Sequence, residues 1–400
     1  MSTRPSKSGT SASGPGSLRS LAWLLLPLIG LGLFLVLLFR SDPLALLSDM
    51  APPLEELTVE QTLLDDNGIT LWVRADGSEP MHIAQIQVDG AFWQFSQTPA
   101  GPIDRLDLVR LDLPYPWVAG EPHFITLITN SGTTFDHEIA VALPSPKASA
   151  EQFIGLAVIG IFIGLVPVAL GMLSYPALRR SGSGSLQFLL ALTVGLLVFL
   201  LIDTLGEALE LADEAAGAFK SPTLVWAAAI GTFLLLLVIG RRKGEAPTGT
   251  GLAGYLSLGI GLHNLGEGLA VGAAFAVGET ALGTFLLVGF VLHNITEGIG
   301  IVAPLVNKRP ATWVFVALAL LAGLPAVFGV WVGAFAFAPQ WASLFFAIGA
   351  GAILQVVFEV SAYLSRRSAE AGGSWLSLTS LSGFLVGLAV MYGTALLVTA

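Results

Sequence analysis

Two copies of one short pattern, His-Asn-x-x-Glu-Gly, occur in the chain 30 residues apart. In each copy the histidine and the glutamate are four residues apart: His263 and Glu267 in the first copy, and His293 and Glu297 in the second. Residues with this spacing lie on the same face of an α-helix, so each copy presents an imidazole beside a carboxylate. Imidazole and carboxylate are ligands that suit Zn, Fe, Mn, Co or Cd. The two motifs therefore predict a site for a divalent transition metal.

Each motif also carries an asparagine three residues before its glutamate, Asn264 and Asn294, which flanks the same helix face. Two carboxylates neutralise a divalent cation, so the filled site carries little net charge in a medium of low dielectric constant. The empty site is expected to keep protons, which links metal loading to pH. The alternative is that these side chains only hydrogen-bond two helices together. Two buried glutamates are an energetically unfavourable means of holding two helices together, because ionisable side chains are expensive to bury in a membrane.

The helices that carry these motifs are expected to lie in a membrane. Only 12% of the 400 residues are charged and the mean hydropathy is +0.78, whereas soluble proteins are about a quarter charged. Apolar runs of about 20 residues, the length that spans a bilayer, recur through the last 250 positions. Eight spans are predicted, at residues 152–176, 185–209, 222–240, 251–275, 281–305, 311–336, 341–364 and 375–399.

The connecting loops orient these spans. Short cytoplasmic loops collect Lys and Arg, and the loops after spans one, three, five and seven do so: Arg179–Arg180, Arg241–Lys243, Lys308–Arg309 and Arg366–Arg367. The intervening loops carry only Lys220, beside three acidic residues. The alternation predicts that both ends of the eight-span bundle lie outside the cytoplasm.

The first 150 residues differ from the rest of the chain. Residues 1–19 are predicted to be a disordered basic cytoplasmic tail, because Ser, Gly, Thr and Pro dominate them. Residues 20–40 are predicted to be a transmembrane anchor. A signal peptide is the alternative, but its apolar core normally runs about 7–15 residues and no clean cleavage site follows here.

Residues 41–150 are predicted to form an extracytoplasmic β-sandwich, with an immunoglobulin-like arrangement as one candidate. Alternating apolar and polar residues predict strands at Ile69–Val73, Ile83–Val88, Phe124–Ile128 and Phe135–Ala142, with turn sequences between them. Three histidines of this segment could bind metal, but a structural role is favoured: His82, His123 and His137. Residues 151–400 then form the transport domain, so the fold class is an all-α polytopic membrane bundle of eight helices, plus the anchor and the β-sandwich.

Several function classes are disfavoured by composition. The chain has no cysteine, so disulfides and thiolate metal sites are excluded. The formal net charge is −10, and residues 41–151 hold 17 acidic against 4 basic residues, so no nucleic-acid partner is expected. The helical metalloprotease pattern His-Glu-x-x-His is absent and no Ser–His nucleophile pair is evident, so the chain is not expected to be an enzyme.

At its two motifs the chain resembles the ZIP family of metal transporters, and within it the GufA/ZupT-like branch. The resemblance covers residues 152–400 and leaves out the anchor and the β-sandwich. It implies eight helices, inward transport of zinc, iron, manganese or cadmium, and an elevator movement of spans one, four, five and six against the other four. It also implies the ligands: His263, Glu267, His293 and Glu297 as the main metal site, and Asn264 and Asn294 as a neighbouring second site.

The chain departs from the family pattern in span six. Ala326 stands where a Gly-Leu-x-Glu pattern would put a carboxylate. One well-held metal is therefore expected in place of a complete binuclear site.

Four further polar residues in the spans are candidates for the metal pathway. Asp203 and Glu207, one turn apart near the outer end of span two, either relay cations inward or cap a wet helix end. The resemblance implies an acidic exit residue at Glu359 in span seven, with snorkelling to the interface as the alternative. Gln355, one turn earlier, is placed on the same path.

The predicted function is therefore a zinc-type metal-ion transporter of the cell (plasma or inner) membrane, with the divalent metal as substrate and Zn expected before Fe, Mn, Cd or Co. Its expected partners are metal ions and the lipid bilayer, and small residues throughout the spans permit a homodimer. The alternative is a metal-sensing, receptor-like membrane protein in which the β-sandwich is the functional part and the bundle is degenerate.

Overall fold

The structure is a computed structural model of the chain, and it describes residues 26, 29–34, 36, 54–146, 149–241, 246–276, 280–370 and 372–399. The predicted tail at 1–19 lies outside the described residues. Of the predicted anchor at 20–40, the described residues Leu26, Ile29–Phe34 and Val36 are helical. The β-strands and the helices that follow them both belong to one compact unit, Glu55–Ala400.

Eight antiparallel strands form two four-stranded sheets. They are β1 (Leu57–Asp65), β2 (Gly68–Ala75), β3 (Ile83–Val88), β4 (Ala91–Trp93), β5 (Ser96–Thr98), β6 (Leu108–Leu113), β7 (His123–Thr129) and β8 (Thr134–Ile139). One sheet has the order β1-β2-β6-β5 and the other has the order β4-β3-β7-β8. The strands lie over all four predicted segments, although β8 ends three residues before the predicted end at Ala142.

The two sheets enclose one apolar core. Along β6 and β7 every second side chain is buried, as expected when one face of a strand packs inward and the other faces solvent. The largest buried side chains come from both sheets, among them Leu71, Leu111 and Leu127, which are fully buried. The alternation read from the sequence is therefore the packing pattern of a sandwich.

The rest of the chain is helical. The helices are α1 (Ala150–Gly160), α2 (Val166–Met172), α3 (Tyr175–Leu178), α4 (Ser183–Asp213), α5 (Pro222–Gly240), α6 (Gly249–Ala276), α7 (Thr280–Val302), α8 (Thr312–Gly323), α9 (Pro325–Ala336), α10 (Pro339–Glu370) and α11 (Leu378–Thr399). Short 3₁₀ turns follow α4 and α7, at Gly217–Phe219 and Ala303–Leu305. The predicted spans lie on these helices and the short turns between them, except that α8 and α11 begin one and three residues after the predicted starts at 311 and 375.

Five helical stretches in the described part of the chain are long and apolar enough to cross a membrane. They are Ala150–Leu178, Ser183–Asp213, Pro222–Gly240, Thr312–Ala336 and Pro339–Glu370. Two shorter apolar helices cover Gly289–Leu305 and Leu378–Gly393. The chain is therefore mostly helical with several candidate spans, and the count of eight stays a prediction.

Two of these stretches are interrupted inside the bundle. Between α1 and α2 the backbone forms a π-helical turn, Ile161–Leu165. Between α8 and α9 the interruption falls at Leu324, because Pro325 has no N–H to donate to the carbonyl of Leu321. Interruptions of either kind leave carbonyl groups that need other donors.

Glycines bring α6 and α9 into direct backbone contact. A Cβ atom at Gly268 or Gly272 of α6 would lie 2.1 or 2.2 Å from a carbonyl oxygen of α9. Reciprocally, a Cβ at Gly329 or Gly333 of α9 would lie 2.1 Å from a carbonyl oxygen of α6. Small residues four apart permit this close approach in membrane helices. The crossing fixes α6 against α9 next to the first motif.

Candidate metal centre

Both motifs lie on helices in the interior of the bundle. His263 and Glu267 belong to α6, and His293 and Glu297 belong to α7. Their exposed fractions are between 1% and 3%. Four titratable side chains withdrawn from solvent in this way require partners, since an uncompensated charge at bilayer depth costs about 2.5–3.5 kcal/mol on insertion scales.

Glu267 is the point on which the two motifs converge. His263 Nε2 lies 2.9 Å from Glu267 Oε1, and His293 Nε2 of the other helix contacts the same oxygen. One ligand atom from each of these three residues lies within 4.8 Å of the others. No other group of three or more such ligands is found in the described residues. Two imidazoles and a carboxylate are a donor set that suits a divalent transition metal.

The two asparagines are oriented by backbone carbonyls. Asn264 Nδ2 donates to the carbonyl of Ala322 at 3.0 Å, and Asn294 Nδ2 donates to the carbonyl of Ile163 at 2.8 Å and to Glu267 Oε2 at 3.0 Å. Because the amide nitrogens are used in this way, the amide oxygens are the free ends. Within the described part of the chain, neither Oδ1 atom has a hydrogen-bond donor. Both oxygens are therefore available to a cation.

Glu297 lies one turn after His293 on α7 and is 1% exposed. Among the described residues, neither of its carboxylate oxygens has a hydrogen-bond partner. Buried polar groups are nearly always paired, so an unpaired buried carboxylate calls for a ligand or a proton. Glu297 is not one of the three residues grouped around Glu267.

The two carbonyls that orient the asparagines come from the interrupted stretches. Ile163 lies in the π-helical turn, and Ala322 lies in the last turn of α8, before the proline that ends it. Sequence reasoning missed both groups. Pro325 was a visible signal for the second, whereas the apolar run Ile161–Leu165 gives no signal for a π-helical turn.

Comparison with protein families gives a match over the part of the chain that holds both motifs. Residues 242–395 match the family model of the ZIP zinc transporters. No curated protein compared with the chain matches it. The ZIP match contains both motifs and excludes the β-sandwich and α4. Together with the apolar helices, it supports a membrane protein that transports metal ions.

Ala326, inside the ZIP match, is fully buried between two helices. A Cβ atom at Gly164 would lie 2.7 Å from the Cβ of Ala326, and a Cβ at Gly268 would lie 2.1 Å from its carbonyl oxygen. The position expected to hold a carboxylate is therefore a close helix contact in this chain.

Asp203 and Glu207, which lie outside the ZIP match on α4, are both exposed side chains. Asp203 is close enough to His263 and His293 to interact electrostatically with both imidazoles. Glu207 interacts with Asp203 and with Glu210, which lies further toward the end of α4. The carboxylates thus follow one face of α4 away from the centre.

Gln355 and Glu359, within the ZIP match on α10, are each 1% exposed. Glu359 Oε1 lies 3.5 Å from Nη2 of Arg241, which follows the last residue of α5. Glu359 Oε2 and Gln355 Oε1 have no donor in the described part of the chain. The basic partner Arg241 was not foreseen as such, although it is one of the loop cations that oriented the spans.

The three histidines of the β-sandwich are not brought together. His123 is held by Asp89 at 2.8 Å through Nδ1 and by the amide of Val118 at 3.3 Å through Nε2. His137 Nε2 lies 2.8 Å from Thr62 Oγ1, and His82 is exposed. The hydrogen bonds of His123 use both ring nitrogens, as expected of a structural histidine.

Proposed function

We propose that the chain is a ZIP-like transporter that carries a divalent transition metal, zinc foremost, into the cytoplasm. The observation that carries this proposal is the convergence of His263 and His293, from two helices, on one oxygen of Glu267. The ZIP match over both motifs is independent support. The metal is the substrate of the protein, so it must bind firmly enough to be selected and weakly enough to be released.

The proposed ligands divide by chemistry. His263, Glu267 and His293 supply the first donor atoms, and Glu297 supplies a second carboxylate, so that two negative charges balance the two charges of the ion. The unpaired oxygens of Asn264 and Asn294 are neutral donors beside it. Since Ala326 adds no carboxylate, we assign one metal to this site. Nitrogen and oxygen donors without thiolate suit Zn, Fe, Mn, Co or Cd and disfavour copper(I).

The proposed architecture has eight spans within residues 151–400, an anchor at 20–40 and an extracytoplasmic domain at 41–150. The alternation of basic loops supports this topology, with the tail at 1–19 in the cytoplasm and the C-terminus outside. The location is the plasma or inner membrane. A homodimer is compatible with the small residues of the spans.

On the proposed path, the metal ion moves from polar groups on the outer side to the central site and from there to polar groups on the inner side. Asp203 and Glu207 attract cations from the outer side, because exposed carboxylates on one helix face concentrate positive ions near it. Gln355 and Glu359 lie on the inner side, where buried oxygens without donors can receive the departing ion.

The receptor-like alternative has less support. It requires a ligand site in the β-sandwich, and both ring nitrogens of His123 are already hydrogen-bonded there. An anchor without transport function also has no use for four buried titratable side chains at mid-membrane.

The test is uptake of zinc, manganese and iron into proteoliposomes by the full chain, compared with Glu267→Ala and Glu297→Ala. We expect uptake by the wild type and none by either variant, with correct folding of each verified by gel filtration. Absence of uptake of every metal by folded wild type would remove the transport function. Deleting residues 41–150 provides the second arm, in which persisting uptake separates transport from the β-sandwich.

A further inference from the structure

A half-buried ion pair lies between α5 and α10, at the end of the bundle that the loop charges assign to the cytoplasm. Glu359 is 1% exposed, and the side chain of Arg241 is 37% exposed. The distance of 3.5 Å between Nη2 and Oε1 is long for a charge-assisted hydrogen bond, and the guanidinium also lies 5.1 Å from the ring centre of Phe358. The pairing is therefore loose on the carboxylate side and open to solvent on the arginine side.

The acceptor oxygens beside this pair are incompletely used. Glu359 Oε2 and Gln355 Oε1, one helical turn apart on α10, are buried without a donor in the described residues. The Nε–H of Arg241 is likewise without an acceptor there. A static structural salt bridge normally satisfies its remaining donors and acceptors, because an unpaired buried polar group is destabilising.

These groups are continuous with the metal centre. A Cβ atom at Gly349 of α10 would lie 3.6 Å from the Cα of His263, which puts the two residues at the same level. A Cβ at Gly259, one turn before His263, would lie 2.9 Å from Gln355 Oε1. Along α10, Glu359 follows Gly349 by ten residues, which is roughly 15 Å of helix. The contact between α6 and α10 thus extends from the level of His263 to that of Gln355, and Glu359, the partner of Arg241, lies one turn further along α10.

We propose that Arg241 is a tethered counter-ion that closes the inner end of the metal path by pairing with Glu359, and that a departing metal and Arg241 compete for this carboxylate. This inference rests on the proposed function. A lone carboxylate carries one negative charge, so a divalent ion and a guanidinium cannot both be compensated by it. The departing ion therefore displaces Arg241 by moving its guanidinium away from Glu359.

The structure gives Arg241 room to move. It is the first residue after α5, and its side chain is partly exposed at the end that the loop charges assign to the cytoplasm. The helix itself does not depend on the ion pair for its position. A Cβ at Gly351 of α10 would lie 2.2 Å from the carbonyl oxygen of Ala229, so α5 and α10 are already in close backbone contact.

The first experiment is equilibrium zinc binding to the full chain in detergent, for wild type, Arg241→Gln, Glu359→Gln and the double variant. We expect Arg241→Gln to bind one zinc ion more than the wild type, or to bind this additional ion at least about tenfold more tightly. The reason is that the buried carboxylate of Glu359 no longer has Arg241 as a competitor of the metal. The double variant should return to the wild-type stoichiometry. Arg180→Gln, which removes an exposed charge from the same side, is the matched control. Identical binding by Arg241→Gln and wild type overturns the proposal.

The second experiment is zinc uptake into proteoliposomes by the same variants. Because zinc stays longer on a free Glu359, we expect Arg241→Gln to lower the maximal rate with little change in KM, and Arg241→Lys to restore most of it. The exchanged pair, Arg241→Glu with Glu359→Arg, keeps an ion pair and covers the case in which single variants fold poorly. If this exchange restores transport, the pair is only structural and the proposal fails. If the protein folds and transport stays low, Glu359 itself is required. Absence of uptake by wild type would instead refute the proposed function, and the binding experiment still tests Arg241 in that case.

Discussion

Asn294 of α7 donates a hydrogen bond to Glu267 Oε2 of α6 at 3.0 Å, so the amide of the second motif binds the carboxylate of the first. The same amide nitrogen donates to the carbonyl of Ile163 at 2.8 Å. The other oxygen of Glu267 is contacted by the two imidazoles, His263 and His293. Glu267 is thus contacted by side chains of both helices. The positions of these contacting atoms around its carboxylate therefore depend on how α6 packs against α7.

Replacing Asn294 by Asp tests this arrangement. The aspartate cannot donate to Ile163, and it puts a second carboxylate against Glu267, so we expect metal-free protein to lose about 1–3 kcal/mol of stability. Zinc should stabilise the variant more than the wild type, because it neutralises the added charge. Thermal unfolding with and without zinc measures both effects. Asn130→Asp, at an exposed turn, is the control. An unchanged Tm in metal-free Asn294→Asp would contradict the assigned donor role.

Gly268→Ala tests the crossing of α6 and α9. A methyl group at this position would lie 2.1 Å from the carbonyl oxygen of Ala326, so the helices must separate. Overpacking of this kind costs about 1–3 kcal/mol, and we expect a lower Tm together with weaker zinc binding. The matched control is Gly251→Ala on the same helix, where a Cβ meets nothing within 4 Å. There, alanine should leave zinc binding intact and raise stability by up to about 1 kcal/mol. Equal effects of both substitutions would rule out close packing as the cause.

His137 makes the stability of the β-sandwich depend on pH. Burial lowers the pKa of His137, because the charged imidazole is less well solvated inside the domain. As the pH falls, His137 is therefore protonated at a higher pH in the unfolded chain than in the folded domain. The stabilisation by neutral His137 is complete above the unfolded pKa of about 6.5 and declines below it.

We expect the amides of β1 and β8 to exchange hydrogen faster when the pH is lowered from about 7 to about 5, after correction for intrinsic exchange. His137→Gln should weaken this pH dependence, since glutamine keeps a polar contact to Thr62 but does not titrate. His82→Gln, at an exposed position, should leave it unchanged. A pH dependence that survives in His137→Gln would assign it to another group.

Glu207→Gln tests the approach of cations along α4. Glu207 is exposed and interacts with Asp203, which in turn interacts with the two imidazoles. Removing its charge lowers the local cation concentration but leaves the ligands in place, so we expect a KM for zinc raised about two- to threefold with an unchanged maximal rate. The effect should shrink at high salt, because salt screens exposed charges. Glu121→Gln on the β-sandwich is the control, and a change in maximal rate alone would contradict an approach role.

The sequence predicted that His263 and Glu267 lie side by side, but it did not predict which atoms of the two motif helices meet. The four-residue spacing sufficed to put His263 beside Glu267, and the repeat indicated which second helix to pair with it. Which atoms meet depends on the rotation and offset of α6 against α7, which spacing does not encode. The two motifs have the same sequence pattern, but their side chains do not make equivalent contacts. Both imidazoles contact Glu267, and the metal-ligand group that they form with it does not include Glu297.

The same distinction holds for the rest of the chain. The β-strands were predictable because period-2 alternation and turn residues act locally, as along β7. The carbonyls of Ile163 and Ala322 were missed, because they become available only where a helix is interrupted, and only the second interruption has a signal in the sequence, Pro325. The partnership of Arg241 with Glu359 joins residues more than one hundred positions apart and depends on how α5 packs against α10.

The hydrogen bonds from Asn294 to Ile163 and to Glu267 have a consequence for selectivity. They join the π-helical turn, α6 and α7 into one cassette, so a displacement of α7 alone would leave a carbonyl and a carboxylate without their donor. Any conformational change that carried the ion would therefore carry its donor atoms with it. The ion would then keep these ligands while the helices move, and discrimination between metals would be made at loading, before the ion is passed on toward Glu359.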